Sequence, residues 1–122
     1  MLRKKISKIL FLVLWFAAFA TVEPAEFTVG KVIAYPNPFS PLTDTLTIKP
    51  NDSSAFNGTV EYKIYNYNEK EVFSGQTSNS VIYWNGHSAD GSAVVPGLYF
   101  IKIIQTKSDY STGTTMIKLI VK

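Results

Sequence analysis

The chain has 122 residues, 12 Lys+Arg against 9 Asp+Glu for a formal charge of +3, and no cysteine. Without cysteine there is no disulfide frame and no lipid-bearing cysteine behind a leader, so a domain of this size must hold itself by packing. The positive charge is local: Arg3, Lys4, Lys5 and Lys8 stand at the head, and from Thr21 onward 8 basic residues face 9 acidic ones, a net charge of −1 that gives no footing for nucleic-acid binding.

The head is built as a secretory leader. Behind the basic residues comes an uncharged apolar run, Ile9 to Phe19, and Ala18-Phe19-Ala20 places small residues at the −3 and −1 positions of a cut after Ala20. An uncleaved anchor is the competing reading, but the run has 11 residues where a membrane span needs about 20. The expected organisation is a signal peptide over residues 1–20 and a single domain over 21–122. No second apolar span follows, so the mature chain has no transmembrane segment and is expected in the periplasm or at the cell surface.

Phe27 to Tyr35 is rich in β-formers and is stopped by Pro36 and Pro38, which cannot donate to a ladder. Thr43 to Ile48 alternates Thr45 and Thr47 against Leu46 and Ile48, the pattern of a half-buried strand. Pro50 to Gly58 reads as turn, ending in Asn57-Gly58. Thr59 to Tyr67 alternates again, with Val60, Tyr62 and Ile64 on one side; Asn66 to Lys70 turns; Glu71 to Gln76 and Ser80 to Trp84 are short strands. Asn85 to Gly97 is a 13-residue loop, and Leu98 to Thr106 and Thr114 to Val121 close the chain as two strands. Seven β runs separated by turn signals, with no capped helical period behind the leader, predict an all-β, immunoglobulin-like antiparallel sandwich.

Catalytic chemistry finds little to work with. Past the leader, His87 is the single histidine and lies in the glycine-punctuated loop without a partner motif, while nucleophilic catalysis needs a base beside an activated Ser, Thr or Cys. Asp44, Asp52, Glu61, Glu69, Glu71, Asp90 and Asp109 lie mostly in or beside turns, where acids are common. A glycosidase needs two carboxyls facing across a cleft, for which a domain this small has little room. The chain is expected to be no enzyme and to use no cofactor. Asn85 to Gly91 gathers oxygen ligands of the kind that hold calcium in extracellular modules, but it departs from the EF-hand pattern, and the structural alternative is a loop capping its own turns. No metal site is assigned. Asn51-Asp52-Ser53 and Asn57-Gly58-Thr59 match the glycosylation sequon and are read as turns.

Aromatic residues carry the remaining signal. Trp84 and Tyr99 fall on the core phase at strand ends flanking the long loop. Tyr65, Tyr67, Tyr83 and Phe100 fall on the opposite phase and are expected to form an exposed strip, with Asn85, His87 and Asp90 of the loop, as a partner surface. The competing reading is that both strand faces are partly covered.

The ordered set Tyr35-Pro36-Asn37-Pro38-Phe39-Ser40-Pro41, Val60 to Tyr65 with a turn and Val72 after it, Trp84-Asn85-Gly86, Gly91, and Gly97-Leu98-Tyr99 resembles a known family. It looks like the immunoglobulin-like domain of bacterial flagellar hook-capping proteins and, equally, the related C-terminal sorting domain (type A) of type IX secretion substrates. The resemblance covers about 90 residues. Where that family has a glycine in the turn after its Ile-Tyr strand, this chain has Asn68-Glu69-Lys70, with Asn68 expected to take the left-handed conformation. Sorting domains stand behind a passenger, whereas here the leader joins the domain directly, and the hook-capping assembly region is missing. The resemblance therefore implies an exported, non-enzymatic module making protein contacts at the cell envelope. The alternative it implies is a sorting domain that directs type IX translocation or surface attachment, kept open by the basic-flanked end Lys118-Leu119-Ile120-Val121-Lys122. A carbohydrate-binding module using the aromatic strip is the weaker alternative.

Overall fold

The computed structural model describes residues 29–122. The leader read over residues 1–20 and the start of the strand read from Phe27 lie outside the described residues. Seven strands follow: β1 (Val32–Tyr35), β2 (Leu46–Pro50), β3 (Thr59–Tyr65), β4 (Glu71–Ser78), β5 (Ile82–Trp84), β6 (Gly97–Thr106) and β7 (Thr112–Val121). They form two antiparallel sheets, β1-β2-β5 and β4-β3-β6-β7. This is the immunoglobulin-like sandwich expected from the sequence: three strands on one layer, four on the other, with consecutive strands switching layers.

Period-two patterning sets the core. Leu46 and Ile48 of β2, Val60 and Ile64 of β3, Ile101 and Ile103 of β6 and Leu119 of β7 are fully buried between the layers. Their odd or even neighbours point to solvent because successive strand residues face opposite ways. Tyr62 is buried with them, and its ring lies over its cross-strand partner Gly75, where an added Cβ would stand 2.5 Å from the Tyr62 hydroxyl. A strand glycine in this chain thus makes room for an aromatic ring that covers it.

Several boundaries differ from expectation for local reasons. Thr43 and Asp44 are not strand: the Asp44 carboxylate accepts the Ser40 N–H at 3.0 Å while the Asp44 N–H returns to the Ser40 carbonyl at 2.8 Å, closing a turn that delays β2 to Leu46. Pro50, expected in the turn, ends β2 opposite Val32. β3 stops at Tyr65, two residues early, because the Asn66 side chain accepts the N–H groups of Asn68 (2.9 Å) and Lys70 (3.0 Å). That cap moves the left-handed residue one place on: Glu69, at φ 64°, and not Asn68, has the positive φ.

Candidate functional site

Two sequence segments more than forty residues apart meet at one end of the sandwich. Pro36-Asn37-Pro38-Phe39 leaves β1 and crosses to the outer edge of β7. Both the Tyr35–Pro36 and the Asn37–Pro38 peptides are cis. The prolines have no N–H to offer a ladder, and the Asn37 side chain supplies one instead. Its amide donates to the Lys118 carbonyl and accepts from the Ile120 N–H, each at 3.0 Å. The Phe39 backbone continues the pairing, donating to the Ile120 carbonyl at 2.8 Å and accepting from the Lys122 N–H at 2.9 Å, as a parallel bridge to Val121. The segment is a clamp on the last five residues of the chain.

The Phe39 ring then turns inward. It is fully buried and lies 5.8 Å, centroid to centroid, from Trp84, which lies 6.3 Å from Phe73 on its other side. Such tilted ring pairs contribute about 0.5–1.5 kcal/mol beyond their buried area. The Trp84 indole N–H donates to the His87 carbonyl at 3.0 Å, so the core tryptophan also fixes the start of the long loop. Gly86, at φ +82°, sits against the clamp: a Cβ there would be 2.5 Å from Pro41 Cβ and 2.9 Å from the Phe39 ring. The proline segment and the Trp-Asn-Gly segment are therefore two halves of one packed joint.

The loop itself is an ordered small hairpin. His87 and Ala93 bridge antiparallel, the Ser88 N–H reaches the Ser92 carbonyl at 2.8 Å, and the Val94 N–H reaches the Gly86 carbonyl at 2.8 Å. Asn85 accepts the His87 N–H, and Asp90 accepts the Ser88 hydroxyl and the Ser92 N–H. Tyr99, near the start of β6, donates its hydroxyl to the Val95 carbonyl at 2.7 Å. This is the tyrosine corner of immunoglobulin-like sandwiches. Burial pushes the Tyr99 pKa up. Among the described residues no group of three His, Asp or Glu stands close enough to hold a metal ion.

The Ser88 hydroxyl and the Ser92 amide hold the Asp90 carboxyl below the usual carboxylate range. A carboxyl depressed in this way adds stability that is complete above its unfolded pKa, about 3.9, and is lost as pH falls through the folded value. The loop is therefore expected to keep its backbone geometry at pH 5 and to loosen only below about pH 4. The Ser92 amide chemical shift, followed by NMR on acidification, checks this; movement already complete at pH 5 would contradict it.

The expected aromatic strip is divided by the fold. Tyr65 and Phe100 are cross-strand partners on the outer face of the four-stranded sheet. With Glu69, Lys102 and Met116 they line a shallow depression of 530 Å³. Tyr67 is 72% exposed on the turn beyond β3. Tyr83 belongs to β5 in the other sheet, 64% exposed, in a row with Thr47 and Tyr35. It lines a different cleft of 510 Å³ with Asn85 and His87. Asp90 does not line that cleft; its carboxylate is folded back on Ser88 and Ser92. The single strip fails because alternation along a strand says which residues point out, not which sheet they point from. Lys102 and Met116 carry no sequence signal for a surface role; cross-strand register alone brings them beside Tyr65 and Phe100.

Comparisons with known proteins agree with this architecture. The family model described as "secretion system C-terminal sorting domain" matches residues 33–122, on the sorting-domain side of the resemblance drawn from the sequence. Two solved structures share the fold. One is PorZ, an essential bacterial surface component of the type-IX secretion system of Porphyromonas gingivalis, at 24% identity and TM-score 0.55 over 75% of this chain and 11% of that one. The other is dimeric latent PorU from the same bacterium, at 21% identity and TM-score 0.54 over 74% of this chain and 9% of that one. The chain thus spans about a tenth of the length of these two proteins. No curated protein sequence matches it.

Proposed function

The chain belongs to the secretion system C-terminal sorting domain family, and from that premise we propose that it acts as a folded address, an exported, non-enzymatic module routed to the cell surface by a type IX export system through protein contact. The match over residues 33–122 carries the reading. The solved relatives, one named for the type-IX system and both from one bacterium, favour the same envelope setting over a hook-capping role. The joint described above supports it physically. Clamp, tryptophan and loop together fix the last five residues, Lys118 to Lys122, as an ordered strand end with Lys118 and Ile120 turned outward. A sorting machinery that reads this end meets a rigid surface, which lowers the ordering cost of recognition.

The test is a fusion. Residues 21–122, placed behind a signal peptide and a reporter enzyme in a bacterium with a type IX system, are expected to bring the reporter to the surface or medium. In a strain without the translocon the reporter should stay in the periplasm. Equal distribution in the two strains would sink the sorting reading and leave a periplasmic contact module. Replacing Lys118 and Lys122 by Ala, which spares the backbone clamp, then asks whether the basic flanks are part of what is read.

A further inference from the structure

The clamp covers only half of the β7 edge. Lys118, Ile120 and Lys122 use their outward N–H or C=O groups on Asn37 and Phe39. β7 runs in unbroken register along β6, so the groups of Thr112, Thr114 and Met116 point to that same side. Among the described residues nothing bonds them there. Natural sheet edges are guarded by proline, charge, bulges or shortness. β1 has four residues and β5 three. The β4 edge is met by the loop, the Ala89 N–H donating to the Val72 carbonyl at 2.9 Å. Thr112-Gly113-Thr114-Thr115-Met116-Ile117 has none of these guards.

We infer that the open half of β7, Thr112 to Met116, pairs antiparallel with the same segment of a second copy of this chain, about a two-fold axis at Thr114. The pairing is self-complementary. An axis at Thr114 sets Thr112 opposite Met116 of the other copy and Thr114 opposite its own mate. Every outward N–H and C=O of these three residues then meets a partner, and two four-stranded sheets become one of eight strands. The length also fits. The open stretch starts where the β6–β7 hairpin ends and stops where Asn37 begins to cover Lys118. The hairpin tip of the second copy, carrying Asp109 and Tyr110, arrives opposite Lys118. That sets a cation beside a carboxylate and an aromatic ring that is 75% exposed, and no like charges face each other across the axis. Such an interface is isologous and closes on itself, so it yields dimers and not fibres. An edge pairing of this size falls below the area of standard stable interfaces, which run from about 1,200 Å² of total buried surface, so the dimer is a weak and reversible one. The pairing does not depend on the export role.

The absence of native cysteine makes the test direct. Residues facing each other across the axis stand about 5.5 Å apart at Cα, within disulfide reach. Thr114→Cys in the full chain is expected to give a symmetric disulfide-linked dimer on mild oxidation. Met116→Cys alone, whose mates lie about four residues apart, roughly 13 Å along the strand, is not. Sedimentation of the wild type should show a monomer–dimer equilibrium that Thr114→Pro abolishes with the far-UV spectrum unchanged, because the proline removes only an outward N–H. A wild type that stays monomeric at millimolar concentration overturns the inference, as does equal cross-linking at positions 114 and 116. Loss of dimer in Thr114→Pro together with loss of the β spectrum is resolved by the cysteine pair, which reports register without breaking the strand.

Discussion

Trp84→Ala should remove roughly half of the domain's stability. The indole is 2% exposed, stacks between Phe39 and Phe73, and donates to the His87 carbonyl. Truncating a buried tryptophan costs about 3–5 kcal/mol, and domains of this size have about 5–15 kcal/mol in all, nearer the lower end for a small core without staples. At about 4–8 °C per kcal/mol the melting temperature falls by at least about 12 °C. Circular dichroism on heating reads the loss directly. Trp84→Phe keeps a ring but loses the hydrogen bond to the loop and should fall between the two. A shift of under about 5 °C for Trp84→Ala, about 1 kcal/mol, would mean that the ring is not the plug of this core. If the folded joint is what export requires, the same variant is lost from the surface even where it is still made and carried across the inner membrane.

The second large effect is at Gly86. A β-branched side chain there meets two penalties together. The left-handed backbone costs about 1–2 kcal/mol for an L-residue, and the new Cβ drives into Pro41 and Phe39, where overpacking typically costs about 1–3 kcal/mol. Gly86→Val is therefore expected to lower the urea midpoint sharply, and Gly91→Ala much less, because a Cβ at Gly91 meets nothing within 4 Å and carries only the backbone penalty. Equal losses at the two glycines would contradict the packed joint and leave backbone strain alone. The joint also makes a kinetic statement open to hydrogen exchange: the Ile120 and Lys122 amides, held by Asn37 and Phe39, should exchange faster in Gly86→Val than in the wild type.

What could be seen in the sequence was local, and what could not was long-range. Alternation placed Leu46, Ile48, Val60, Tyr62, Ile64, Trp84 and Tyr99 in the core, and each is buried. A period of two is a property of adjacent residues and needs no knowledge of the partner strand. The proline run was visible as a strand stop, but the use of Asn37 was not: its two partners lie 81 and 83 residues away. Tyr83 was grouped with Tyr65 and Phe100 because all three point outward. β5 in fact pairs with β2 and not with β3 or β6, so Tyr83 belongs to the other face. The turn after β3 shows the reverse failure, a local one. Asn68 has the better intrinsic tolerance for positive φ, yet the Asn66 side chain takes the Asn68 N–H and leaves the left-handed position to Glu69. Of the candidate partner surface, the sequence supplied the residue types, and the register of β3, β6 and β7 decided which of them stand together.

Routing by type IX export is tested most directly in the native cell, by fractionating cells with and without a working translocon and reading both ends of the chain by mass spectrometry. The expected result is a chain that begins at Thr21 and lies at the surface or in the medium when the translocon works, and that is held in the periplasm when it does not. A chain found in the periplasm of both strains, with Lys122 intact, would contradict the sorting role and return the domain to a resident contact module of the envelope.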